Sequence, residues 1–302
     1  MSVHKPRRLR QGARIGVIAP SGVVDQASVH AGAAAIRSEG FAVELAPNLF
    51  ARRDYLAGQA EDRARDLTEF FRRPDIDAVF CARGGFGSVQ LLPYLDASLG
   101  SEAKIFVGYS DVTILLNWFR QFGDMVTFHA PMVAMDLAQG LTGSSRQHFW
   151  PLLTGETQAW KINLGEVIRP GTAQSDIVGG CLSLVVTTLG TPYEVDTRGK
   201  LLFLEDVGEK PYRIERMLTH LQMAGKFDHV AGVLCGDFTN CDSDGGRQVE
   251  DILREMFGRA AYPVVIGMKA GHGAENLALP FGVQMRLDGE RATLEMLESP
   301  VV

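Results

Sequence analysis

Four short apolar runs, each punctuated by glycine or proline and followed by a stretch of helical spacing, occupy the first 140 residues and set the fold class. Ala13–Ala19 (ARIGVIA) closes at Pro20-Ser21-Gly22, and Phe41–Ala46 follows Gly40. Ala78–Cys81 closes at Arg83-Gly84-Gly85-Phe86-Gly87, and Ile105–Val107 runs into Gly108. Short apolar runs bounded by turn residues read as buried strands. Between and after them, Asp25–Glu39, Glu61–Phe71, Val89–Leu95 and Asp111–Phe122 carry helical patterns. Strands that alternate with helices imply parallel pairing, so an N-terminal doubly wound parallel sheet is predicted.

The pattern changes near residue 140. Gln139–Ser145 is rich in Gly, Ser and Thr, and Leu153–Gln174 has no sustained helical period. Beyond lie strand-like runs at Lys200–Leu204, Val230–Cys235, Val264–Gly267 and Ala292–Met296, with helical stretches at Arg213–Met223 and Val249–Phe257. The chain has 302 residues, about the size at which single cores stop growing. The expected α/β organisation is a doubly wound domain at residues 1–145, a connecting segment at 146–174 and a smaller, strand-rich α/β domain at 175–302.

Lys plus Arg number 30 and Asp plus Glu 36, for a net charge of −6. Such a chain has no general attraction for nucleic acid or anionic lipid. The one basic cluster, Lys5, Arg7, Arg8 and Arg10, precedes an apolar run of only Ile15–Ala19 that breaks at Pro20. A secretory signal needs about 7–15 apolar residues, and a membrane helix about 18. Neither nucleic acid nor membrane is an expected partner. The four cysteines form no CxxC pair, which fits reduced thiols and a cytoplasmic setting.

Four features can carry chemistry. Ser110, in Gly108-Tyr109-Ser110-Asp111-Val112, falls at a strand-to-helix turn, at the carboxyl end of a parallel strand where open α/β sheets bind ligands. That position suits a nucleophile elbow, although Val112 replaces the second glycine of the usual motif, and it equally suits a helix N-cap. The loop Arg83–Gly87 can bring a bare backbone N–H to a reacting oxygen, can cradle phosphate, or can be a tight turn; it is neither of the familiar phosphate-binding patterns. Glu205 and Asp206 directly follow the apolar run Leu201–Leu204; a buried acid there needs a partner, and turn or cap acids are the alternative. Of the seven histidines, only His272 lies between two glycines, Gly271 and Gly273. His220 fits a helix surface, His129 is ambiguous, and no His/Asp spacing suits a metal. Together Ser110, Glu205 and His272 supply a nucleophile, an orienting acid and a base, a set recognised by role rather than by chain order.

These residues are also similar to those of a known family. Ala19-Pro20-Ser21-Gly22, the 83–87 loop, Gly108-Tyr109-Ser110-Asp111, the run Leu204-Glu205-Asp206-Val207-Gly208-Glu209-Lys210-Pro211-Tyr212-Arg213-Ile214, and Gly271-His272-Gly273 with Asn276, Leu279-Pro280 and Gly282 resemble the LD-carboxypeptidases. This serine peptidase family includes muramoyltetrapeptide carboxypeptidase and the microcin C self-immunity peptidase. The resemblance implies a two-domain cytoplasmic enzyme, often a homodimer, without metal or organic cofactor. It implies Ser110 in the N-terminal domain and Glu205 with His272 in the C-terminal domain as the triad, with the backbone N–H groups of Gly85 and Asp111 as the oxyanion hole. The implied substrate is a small peptide, the murein tetrapeptide, cut between the L-centre of its diamino acid and the terminal D-alanine.

Recognition of a free C-terminal carboxylate calls for a cation or a backbone nest, and Arg83 is the nearest cation to the oxyanion loop. Substrate contacts in the variable stretch between Gly140 and Ala173 do not transfer. Two other readings stand beside this one. A peptidase of the same family could cut a peptidyl-nucleotide amide, with Trp150 or Trp160 stacking on adenine. A non-catalytic phosphate- or nucleotide-binding α/β protein would use the 83–87 loop but leave Ser110, Glu205 and His272 unexplained as a set.

Overall fold

Most apolar runs of the N-terminal half are buried, as central parallel strands must be, while Ala42–Leu45 at the sheet's edge is exposed or half-buried. In the computed structural model, which describes residues 3–242 and 246–302, the four runs form β1 (Arg14–Ile18), β2 (Ala42–Leu45), β3 (Ala78–Cys81) and β4 (Ile105–Gly108), and a further strand, β5 (Thr127–His129), joins them. They pair in parallel in the order β5-β4-β3-β1-β2. A sixth strand, Leu279–Phe281, returns from far along the chain and pairs antiparallel with β5, Leu279 opposite His129. Pro280 is tolerated there because an edge strand can spare a backbone donor.

Helices α1 (Gln26–Ser38), α2 (Ala60–Arg72) and α3 (Thr113–Gln121) lie where the sequence predicts them. The Asp25 carboxylate caps α1 by accepting from the Ser28 N–H, and α2 buries Leu67, Phe70 and Phe71. Residues 89–95, predicted helical, form instead a 3-10 segment, Ser88–Tyr94, that contains Pro93. Proline removes a donor and crowds the preceding turn, so an α-helix cannot continue there. The Gly/Ser/Thr-rich stretch holds α4 (Gly143–Thr154), which buries Phe149, Leu152 and Leu153 and ends at Gly155 with φ +75°.

Where the sequence reading has a connection, the chain makes sheet: β6 (Trp160–Asn163), β7 (Val167–Arg169) and β8 (Thr172–Ser175). These strands are short and mostly half-exposed or exposed, so they lack the continuous apolar run that marks a buried strand. Next come β9 (Ile177–Cys181), α5 (Leu182–Thr187), β10 (Leu201–Val207), α6 (Pro211–Met223), β11 (Gly232–Thr239), α7 (Val249–Phe257) and β12 (Val264–Ile266). Strands β12-β11-β10-β9 are parallel, and β7 joins β12 antiparallel. The Leu279–Phe281 strand is β13; β14 (Met285–Asp288) and β15 (Thr293–Met296) complete an antiparallel sheet ordered β6-β15-β14-β8.

The chain divides into two compact units. The first runs through Thr157 and takes back Leu277–Gly282 and Pro300–Val302; the second comprises Gln158–Asn276 and Val283–Ser299. The first is the doubly wound parallel-sheet domain and the second the strand-rich α/β domain. Among the described residues no helix is long and apolar enough to cross a membrane.

Candidate active site

In the first unit, β4 ends at Gly108 and the chain turns sharply through Tyr109 and Ser110. Ser110 has φ +62°, a left-handed conformation that costs a side-chain-bearing residue on the order of 1 kcal/mol or more and clusters at functional sites. Its hydroxyl caps neither the 3-10 turn Ser110–Val112 nor α3, since no side chain caps either start. The sequence left N-cap and elbow open; the backbone is that of an elbow. Gly84 explains one glycine of the 83–87 loop. A Cβ there would lie 2.8 Å from both Cβ and Oγ of Ser110 and 3.3 Å from the Asp111 nitrogen. The loop backbone therefore passes directly against the serine, an approach open only to glycine. Gly85 and Gly87 have φ +115° and +134°, so they serve the turn itself.

Two buried charged side chains that sequence reasoning passed over hold these loops. The Asp111 carboxylate, fully buried, accepts from the Ser21 hydroxyl at 2.6 Å and the Ser88 N–H at 2.8 Å. The Ser88 hydroxyl donates to the Asp111 carbonyl at 2.5 Å. Burial pushes the Asp111 carboxyl upward, and the bonds from Ser21 and Ser88 oppose that. Arg63 is 2% exposed. Its guanidinium donates to the Pro20 carbonyl, to the Gly87 carbonyl at 2.9 Å and to Gln90 Oε1 at 2.7 Å. It thus ties the loop after β1 to the loop after β3. Its signal in sequence is a charge on the apolar stripe of α2, in register with Leu67, Phe70 and Phe71.

The second unit holds Glu205 and His272. Glu205 lies at an irregularity in β10, where the register with β11 shifts between Leu204 and Asp206; such bulges re-aim side chains near active sites. Its carboxylate is fully buried. Oε2 lies 2.7 Å from His272 Nδ1 and accepts from the His272 backbone N–H at 3.2 Å. Burial raises the Glu205 pKa, and the bonds from His272 pull it back. Gly271 is required twice over: its φ is +106°, and a Cβ would fall 2.3 Å from Glu205 Oε2. Its N–H donates to Asn276 Oδ1 at 2.9 Å. The neighbouring Asp206 turns elsewhere, accepting from the Ser183 N–H at 2.8 Å at the start of α5. Bonded through Nδ1–H to a carboxylate, a neutral imidazole carries its lone pair on Nε2, the arrangement of a general base.

The remaining candidates have local roles. Arg83 donates to the Val23 carbonyl at 3.1 Å and so braces the same pair of loops. His129 is fully buried on β5, its ring 5.8 Å from Tyr109 and 6.1 Å from Phe281, and His220 is exposed on α6. Trp150 packs among Phe41, Phe80 and Phe149. The four cysteines are buried, and burial pushes the Cys235 thiol up to about 12. Among the described residues no group of three or more His, Cys, Asp or Glu could hold a metal ion.

Comparison with known proteins covers both units. Residues 15–130 match the family model described as the LD-carboxypeptidase N-terminal domain, and residues 174–287 match that of the C-terminal domain. The chain is 38% identical over 298 residues to the probable murein peptide carboxypeptidase of Bacillus subtilis, covering 96% of this chain and 93% of that one. It is 31% identical over 295 residues to the murein tetrapeptide carboxypeptidase of Pseudomonas aeruginosa, covering 92% and 94%. The crystal structure of muramoyltetrapeptide carboxypeptidase from Oxalobacter formigenes superposes with a TM-score of 0.86 at 28% identity, over 94% of this chain and 97% of that one.

Proposed function

The chain belongs to the LD-carboxypeptidase family, and from that premise we propose that it removes the terminal D-alanine of murein tetrapeptides, cutting after the L-centre of the diamino acid. It is a serine-type carboxypeptidase, with Ser110 as nucleophile, His272 as base and Glu205 as the acid that orients His272. The observation that carries this is the 2.7 Å bond from His272 Nδ1 to a fully buried Glu205, a costly burial of charge that catalysis explains and packing does not. The left-handed Ser110 supports the nucleophile's part.

In this chemistry Ser110 Oγ attacks the scissile carbonyl while His272 Nε2 takes the hydroxyl proton, so the two must come within hydrogen-bond reach. Glu205 holds the tautomer and stabilises the imidazolium. The N–H groups of Gly85 and Asp111 accommodate the oxyanion; each such donor is typically worth about 10²–10³ in rate. His272 returns the proton to the departing amine of D-alanine, and water, deprotonated by the same ring, releases the acyl group from Ser110. Arg83 takes the substrate's terminal carboxylate; an unchanged KM for tetrapeptide in Arg83→Ala would remove it from that role. The enzyme acts as a cytoplasmic homodimer and needs no cofactor.

Trp150 is already packed within an aromatic cluster, which weighs against its stacking on the adenine of a peptidyl-nucleotide substrate. Mass spectrometry of defined tetra- and pentapeptides incubated with the protein tests the assignment. Loss of one alanine from the tetrapeptide alone is expected. Cleavage of a peptidyl nucleotide with the tetrapeptide left intact would transfer the chain to the other branch of the family's chemistry.

A further inference from the structure

Two aromatic side chains stand exposed beside the nucleophile's loops: Tyr55 at 66% and Phe86 at 43%. Their rings are tilted at 59° with centroids 6.1 Å apart. Their backbones belong to the site's scaffold. Phe86 directly follows Gly85. Tyr55 lies in a tight turn closed by reciprocal backbone bonds between Arg53 and Leu56, with Asp54 at φ +54°. The Tyr55 carbonyl accepts from the Val23 N–H at 3.0 Å, and the Gly22 N–H donates to the Gly84 carbonyl at 3.1 Å. A Cβ on Gly22 would sit 3.0 Å from the Gly84 oxygen and 3.5 Å from the Tyr55 oxygen. The rings are therefore held by the same backbone that positions Ser110, rather than carried on a loose surface loop.

We propose that Tyr55 and Phe86 form a stacking platform for the pyranose ring of a muramoyl-linked tetrapeptide. This rests on the substrate reading above. The peptide itself offers methyl groups, carboxylates and an amine, whereas the sugar offers a broad C–H face, the part suited to the electron-rich face of an aromatic ring. Charge agrees: Arg52 and Arg53, exposed on the same turn, complement a substrate rich in free carboxylates.

The test compares kcat and KM for N-acetylmuramoyl-tetrapeptide and for free tetrapeptide in wild type, Tyr55→Ala and Phe86→Leu. Wild type should favour the muramoyl peptide about threefold to tenfold through KM, the range of an aromatic contact. Each variant should lose that preference, and Tyr55→Ala, on a turn outside the 83–87 loop, should keep its constants for free tetrapeptide within twofold. Remote contacts bind ground and transition states alike, so kcat should hold. Equal slowing of both substrates by Tyr55→Ala, or a sugar preference that survives both substitutions, would overturn the platform. Wild-type protein inert toward both peptides would instead overturn the substrate reading itself, a result distinguishable from an active enzyme indifferent to the sugar.

Discussion

At the scale of single residues, the site is specified as much by missing side chains as by present ones. Gly84 and Gly271 are the places where a methyl group would strike Ser110 and the Glu205 carboxylate. Gly84→Ala should cut kcat/KM by at least a hundredfold while costing only about 1–3 kcal/mol of stability, the usual range for overpacking; denaturant titration beside a steady-state assay separates the two effects. Glu205 gives a prediction in pH. Its pKa is raised by burial and only partly restored by His272, so the folded state holds this proton more tightly than the unfolded state does. The stability it contributes is complete at low pH and is lost as pH rises through the folded value. Glu205→Gln removes that titration. Its melting temperature should gain on wild type as pH rises above the ordinary carboxyl range, while kcat falls about 10³–10⁴-fold. A melting-temperature difference that is flat over that rise would show that Glu205 is not held against ionisation.

At the scale of elements, Arg63 on α2 works as a strut. It binds the carbonyls of Pro20 and Gly87, one from each loop beside Ser110. Arg63→Met should destabilise the protein by about 2–4 kcal/mol, because buried acceptors lose a charged donor. Its urea midpoint should fall, and Arg63→Lys should recover part of both stability and kcat. In the first unit β1, β3 and β4 are legible in sequence because they are apolar runs closed by glycine or proline, whereas the three-residue strands β5 and β13 are too short to leave a pattern. The strands β6, β7 and β8 are not legible, because they are short and substantially solvated and leave no periodic apolar trace. The candidate catalytic side chains stand out in sequence because unusual glycine frames surround them. Arg63 and the Asp111 carboxylate do not, because a charge that becomes buried looks in sequence like any solvated charge; only its place on an apolar stripe marks it.

At the scale of the molecule, the residues proposed for the chemistry fall in both units. The first carries Ser110 with its glycine-lined loops, and the second carries the bonded pair Glu205 and His272. Glu205 stands within the parallel strand β10, and Ser110 follows the parallel strand β4 by two residues. The proposed triad makes a sharp kinetic demand. The most direct test is the turnover of murein tetrapeptide by Ser110→Ala, His272→Ala and the double variant, each shown to be folded by circular dichroism. Groups that act as one unit are non-additive, so each single variant should fall by about 10⁴–10⁶ and the double variant no further. Substantial turnover in either folded single variant, or losses that multiply in the double variant, would contradict a shared Ser110–His272 mechanism.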